Sequence, residues 1–135
     1  MYLLDTVVVS DTMKRRPDQV AAAWLDAHEP EGFFLSVITL GEIQRGTATV
    51  RRREPEFATR LDRWLAAVRT TYAERLLSVT EDIALRWGEL TAALGNDGYD
   101  LLIAATALEH DLTIATRNLR HFDGTGARLV DPFRT

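Results

Sequence analysis

An acid interrupts an apolar opening. Asp5 sits inside Met-Tyr-Leu-Leu-Asp-Thr-Val-Val-Val, a stretch rich in β-formers where a carboxylate has no packing purpose. Glu42, Asp100 and Asn118 stand where they can join it. Each has an ordinary reading by itself. Asp5 is a strand-end turn residue, Glu42 the partner of Thr39 in a Thr-x-x-Glu capping box, Asp100 a helix N-cap, and Asn118 a polar turn residue. Taken together, three carboxylates without a nearby lysine are costly unless they hold a cation. The chain has a single lysine, Lys14. Hard oxygen donors suit Mg²⁺ or Mn²⁺, which keep several waters. Such an ion lowers the pKa of a water and stabilises in-line displacement at a phosphodiester.

The elements that must position these residues follow from the apolar pattern. Tyr2–Leu4 reads as a buried parallel strand ending near Asp5, and Ser10 or Asp11 as the cap of the helix after it. Pro17 fits the first turn of a helix reaching about His28, and Pro30 and Gly32 break the chain. Phe33–Ser36 is the next strand. The box at Thr39 and Glu42 opens a helix to about Arg52, and Pro55 starts another that carries Phe57, Leu61, Trp64, Leu65 and Val68 at helical spacing. Leu76–Val79 is a short strand. Thr80 opens a helix ending near Gly95, Asn96-Asp97-Gly98 is a turn, and Asp100 heads a helix of small and aliphatic residues. Leu112–Thr116 and Arg128–Val130 are the last strands, with a short turn or helix at Arg117–Phe122. Alternating strands and helices predict an α/β fold: three α/β/α layers around a mostly parallel sheet of about five strands, one domain over residues 1–135. Ligands of such sheets bind beyond the carboxyl ends of the strands, which selects Asp5, the Ser36–Glu42 segment and Asn118.

Composition bounds the alternatives. The chain has 135 residues, 46% of them hydrophobic and 27% charged, within the range of one globular domain. With no cysteine, disulfide scaffolds, Cys-bound zinc and thiol catalysis drop out. No apolar run approaches the roughly 20 residues that span a bilayer, and the opening lacks the basic cluster of a secretory signal, so a cytoplasmic protein is expected. Net charge is −4, but eight arginines between Arg45 and Arg75 face four acids and make that stretch locally +4. A basic rim beside an acidic pocket suits phosphates and a cation, with Arg45, Arg117 and His121 the candidate contacts to a phosphate backbone. His28 and His110 lie near helix ends, where they suit the helix dipole rather than a ligand. A receiver domain needs a late lysine, a haloacid-dehalogenase phosphatase needs an aspartate at position 7, and no Gly-rich phosphate loop is present.

Several stretches resemble a known family. Met1-Tyr-Leu-Leu-Asp-Thr6 is similar to the start of a PIN domain. Ser36-Val-Ile-Thr-Leu-Gly-Glu-Ile-Gln-Arg-Gly46 resembles its second motif, and Asp100-Leu-Leu-Ile-Ala-Ala-Thr-Ala107 its third. Leu112-Thr-Ile-Ala-Thr-Arg-Asn118 resembles its fourth, while Phe122–Gly126 and Val130–Phe133 match its usual ending. The likeness spans nearly the whole chain and is strongest to VapC-type toxins of type II toxin–antitoxin pairs. It implies a Mg²⁺- or Mn²⁺-dependent endoribonuclease acting on tRNA, rRNA or mRNA. It also implies a cognate VapB-type antitoxin and a homodimer within the hetero-oligomer. By motif position, Asp5, Glu42 and Asp100 would be the acidic metal-binding triad, Asn118 a fourth catalytic position, and Thr6 and Ser36 supporting groups. Two positions depart from the pattern. Val7 replaces the usual asparagine, and His121 stands where an aspartate often precedes the phenylalanine. These departures support a second reading, a PIN-fold module that is weak or inactive in catalysis and acts by binding an antitoxin or other partner.

Overall fold

Strand residues alternate between two faces, and here that alternation sorts the whole core. The structure, a computed structural model, describes residues 1–134. Five strands carry the sheet: β1 (Tyr2–Leu4), β2 (Phe33–Ser36), β3 (Leu76–Leu77), β4 (Thr113–Ala115) and β5 (Leu129–Val130). Six helices connect them: α1 (Thr6–Asp11), α2 (Gln19–His28), α3 (Val37–Val50), α4 (Pro55–Thr71), α5 (Glu81–Leu94) and α6 (Tyr99–His110). Tyr2, Leu4, Phe33, Leu35 and Ala115 pack to one side with Val8 and Val9 of α1, Ile43 of α3, and Leu65 and Val68 of α4. Leu3, Phe34 and Ile114 pack to the other side with Ile103, Ala104 and Ala107 of α6 and Leu90 of α5. Two helical layers thus enclose the sheet, as the sequence predicts. Trp64 and Leu65 belong to the first core cluster.

The strand order is β3-β2-β1-β4-β5, and every neighbouring pair is parallel. The chain steps from β1 outward through β2 to β3, then returns to the opposite side of β1 for β4. The reversal falls between β1 and its two neighbours, and a crevice opens there at the strands' carboxyl ends. Leu4 pairs with Ala115, so Asp5 and Thr116 leave the sheet side by side.

Local caps fix where the helices begin, and they differ from the sequence reading in four places, one being the last helix, which starts at Tyr99 with Gly98 and not Asp100 at its N-cap. Asp5 caps α1 by accepting the Thr6 N–H, whereas Ser10 and Asp11 close that helix rather than open one. Asp18 caps α2 through the Ala21 N–H, leaving Pro17 outside the helix. Ser36, extended at φ −85° and ψ 147°, caps α3 through the Ile38 N–H at 3.0 Å. The helix therefore starts at Val37, three residues' advance on the Thr39 box. The first hydroxyl after a strand takes the cap because its backbone is already extended there. Thr39 becomes an interior residue, fully buried. Helix α6 is buried along most of its length (Leu101, Ile103, Ala104, Ala105, Thr106 and Ala107), which holds its first turn, and so Asp100, against the sheet edge. No helix among the described residues is long and apolar enough to cross a membrane.

Candidate active site

Asp5 is 4% exposed and tied down on every side. Its backbone N–H donates to the Ala115 carbonyl at 2.9 Å, the last rung between β1 and β4. One carboxylate oxygen, Oδ1, accepts the Thr6 N–H at 2.9 Å. The other, Oδ2, accepts the Thr116 hydroxyl at 2.8 Å. The Thr116 oxygen in turn accepts the Asn118 N–H at 2.9 Å. Asn118 thus joins the site through its backbone, by orienting the hydroxyl that orients Asp5. Thr116 is fully buried and is the functional residue that sequence reasoning missed. Its signal is a hydroxyl closing a strand in register with the strand that Asp5 closes, and that register exists only once β1 and β4 are paired.

Glu42 lies in the second turn of α3 and is half-buried. Its Oε1 accepts the Thr6 hydroxyl at 2.7 Å, and the Thr6 and Thr39 hydroxyl oxygens are 3.1 Å apart. A hydroxyl has one proton. With Thr6's proton directed to Glu42, Thr39 is the donor to Thr6. The Thr39-Glu42 pairing read from sequence as a cap is therefore a relay through Thr6 from α1. Thr6 bridges both acids, giving its N–H to Asp5 and its hydroxyl to Glu42. Ser36 acts one step further back, setting where α3 begins.

Asp100, in the first turn of α6, is the most open of the three acids, with its side chain 37% exposed. His121 Nδ1 lies 2.9 Å from its Oδ2. The histidine thus engages a site acid. Arg45 follows Glu42 by one turn of α3, close enough that its charge acts on Glu42. Arg117 faces elsewhere. Its guanidinium stacks over the Phe133 ring at 3.7 Å and lies 3.7 Å from Asp18. Val7 packs against the first core cluster, as an apolar residue in that helix should.

The three carboxylates act on one another. Burial raises the Asp5 carboxyl above its ordinary range, and the Asp100 charge adds to this, against hydrogen bonds from Thr116 and Thr6 and the charge of His121. Burial likewise raises Glu42, with Asp5 and Asp100 both contributing, against the Thr6 hydroxyl and Arg45. Asp5 and Glu42 thus lie, with the Asp100 charge acting on both, in one negative region where burial disfavours their own ionised forms. Among the described residues no three His, Asp or Glu side chains converge tightly enough to enclose an ion by themselves. The donor set fits a hard divalent cation that keeps much of its water and takes only one or two carboxylates directly. It does not suit a thiophilic or fully caged metal.

Comparison with known proteins follows the same outline. The PIN domain family matches residues 2–126. A protein of Sinorhizobium fredii named VapC ribonuclease Y4jK is 33% identical over 140 residues, covering 98% of each chain. The crystal structure of FitAcB from Neisseria gonorrhoeae contains a chain that superposes with a TM-score of 0.81 at 30% identity, covering 100% of both chains. A chain of DNA-bound VapBC from Salmonella typhimurium superposes with a TM-score of 0.75 at 27% identity over 97% of both chains.

Proposed function

The chain belongs to the PIN-domain family, and from that premise we propose that it is a divalent-metal-dependent endoribonuclease toxin of the VapC type, restrained by a VapB-type antitoxin. The observation that carries this reading is the convergence of Asp5, Glu42 and Asp100 within mutual electrostatic reach at the sheet's crevice. The names of its relatives support it: one is called a VapC ribonuclease, and two similar chains come from FitAcB and VapBC assemblies.

Asp5, Glu42 and Asp100 would hold Mg²⁺ or Mn²⁺. When bound, the ion supplies Lewis-acid stabilisation of charge at the phosphate and eases ionisation of water. Thr116 and the Thr6 N–H fix the two oxygens of Asp5 in one orientation, so its remaining lone pairs keep a set direction. The Thr6 hydroxyl does the same for Glu42 Oε1. Glu42, raised by burial, is placed to take a proton from an attacking water, in the way a carboxylate general base is tuned upward by its surroundings. Arg45 offers a cation beside the acids for a neighbouring phosphate of the strand.

A second reading keeps the fold and the antitoxin but not the turnover. The seating of His121 on Asp100 favours it, because that contact occupies a carboxylate oxygen an ion would use. One experiment separates the two. Purified protein is incubated with total RNA or a tRNA pool in Mn²⁺, Mg²⁺ or EDTA, beside an Asp100→Asn preparation. Asp100 suits the control because it is part-exposed and caps nothing, so the variant folds. Metal-dependent cutting that disappears with Asp100→Asn is the expected result, and the fragment ends then give the target. No cutting by the folded wild-type chain in any metal overturns the nuclease reading in favour of the binding module.

A further inference from the structure

One groove opens beside the acids and extends from Glu42 and Arg45 to residues the chemistry above does not use. It measures about 330 Å³ and is lined by Val37, Ile38, Gly41, Glu42, Arg45 and Tyr99. Glu42 belongs to this groove and to the acidic site, so the two are continuous. The groove lining also includes Tyr99, the residue before Asp100 and 55% exposed. Tyr99 is the only Phe, Tyr or Trp among the described residues that is left exposed.

Gly41 belongs to the same lining, and its place in the groove sets it apart from Gly46 of α3 and Gly88 of α5, whose surroundings are equally open. It lies inside α3 and has an ordinary helical backbone. A Cβ built there meets nothing within 4 Å. No packing inside the chain asks for glycine, and glycine in a helix interior is unfavourable relative to alanine. Its effect is to leave bare backbone in the groove lining, where a flat group can approach closely. An exposed aromatic face, bare backbone and a nearby cation are what single-stranded nucleic acid uses. Bases stack on aromatic rings regardless of sequence, and arginine takes the backbone charge.

We propose that this groove is a stacking subsite for the nucleobase next to the cleaved phosphodiester, with the base on Tyr99, its edge over Gly41 and its flanking phosphate at Arg45. The proposal rests on the ribonuclease reading and goes beyond it by naming where the substrate strand is gripped. The strand then enters the acids from the α3–α6 side, and the grip is by stacking rather than by reading a base edge.

The test measures affinity without cleavage. Fluorescein-labelled short oligo-uridine and oligo-adenosine RNAs are titrated in EDTA, read by anisotropy, with urea unfolding and sedimentation of each variant alongside. Tyr99→Ala should weaken binding about 5- to 150-fold, the range for loss of one stacked base. Tyr99→Phe and Tyr99→Trp should retain it. Gly41→Ala should raise the urea midpoint, since the added methyl enters open space in a helix, while weakening RNA binding. Opposite signs for fold and ligand are not expected of a merely structural glycine. Wild-type affinity in Tyr99→Ala overturns the proposal. So does a Tyr99→Ala variant that alters self-association or antitoxin capture but not RNA affinity, which would make the groove a protein-facing surface. If the wild-type chain neither binds nor cuts RNA, the ribonuclease reading fails and the subsite with it. If it cuts and Tyr99→Ala is silent, only the subsite fails.

Discussion

Replacing Thr116 with valine tests the site's scaffold most directly. The two side chains have nearly the same shape, so no cavity opens and only the hydroxyl is lost. Two hydrogen bonds go with it: the 2.8 Å donation to Asp5 Oδ2 and the 2.9 Å acceptance from the Asn118 N–H. A hydrogen bond to a charged group contributes about 1.5–3 kcal/mol, and an orphaned backbone N–H costs about 1–3 kcal/mol where water cannot reach it. Part of this is offset by the better burial of a methyl group, so Thr116→Val should cost about 2–4 kcal/mol near neutral pH. The effect has a pH signature. Loss of the Thr116 donor moves the already raised Asp5 carboxyl further up. Below the ordinary aspartate range, about pH 4, Asp5 is protonated in both folded and unfolded chains, and the charge-assisted part of the loss disappears. Urea unfolding in EDTA, run near neutral pH and near pH 3, should show the penalty shrinking by about half in acid. Mn²⁺ titration by calorimetry should show affinity falling about 10- to 100-fold, as for other groups that orient a ligand from behind. Thr116→Ser should recover most of both. A penalty under about 0.5 kcal/mol, or one equal at the two pH values, would refute the view that Thr116 holds the Asp5 carboxylate.

Burial and mutual repulsion raise both Asp5 and Glu42 in the folded chain, and a raised carboxyl contributes stability below its unfolded pKa that is lost as pH climbs through the folded one. The metal-free protein should therefore melt lower at neutral than at mildly acid pH, Mn²⁺ should restore the difference, and Glu42→Gln should flatten it; a metal-free melting temperature that rises with pH over that range contradicts the assignment. Ser36→Ala removes the α3 cap and should cost about 1 kcal/mol by urea unfolding, with a matching loss of cleavage because Glu42 rides on that helix; unchanged stability would mean the cap carries nothing. Arg117→Ala should lose about 0.5–1 kcal/mol of folding stability from its stack on Phe133 and leave the salt dependence of RNA binding unchanged. A salt slope reduced by about one instead would return Arg117 to the RNA interface.

Much of the design is local enough to be legible in the chain. Alternating apolar residues in Tyr2–Leu4 and Phe33–Ser36 fix which side chains face which helical layer, because successive strand residues must point oppositely. The alternation of strand and helix fixes a parallel sheet, and the placement of Asp5 at a strand end fixes its position at the carboxyl edge. Asp100 is legible because it stands at the head of a run of small apolar residues, which places it in the first turn of α6, although Gly98 takes the cap. Helix starts were less legible. Thr39-x-x-Glu42 satisfies the capping pattern as written, yet Ser36 was already extended at the end of β2 and captured the cap first. Position 7 could be noted as a departure from the family pattern, but the packing of Val7 into the core follows from the turn that Asp5 imposes.

The partnerships within the site came from tertiary structure alone. Thr116 and Asp5 are 111 residues apart, and Thr6 and Glu42 are 36 apart. No short-range pattern links residues across such loops, whose closure is compensated only by the burial of the whole sheet. The sequence determined the chemistry available: three acids, hydroxyls near them, one arginine-rich flank. The parallel pairing of β1 with β4, set by which apolar faces could be buried together, decided which hydroxyl meets which carboxylate and that Tyr99 stands beside them.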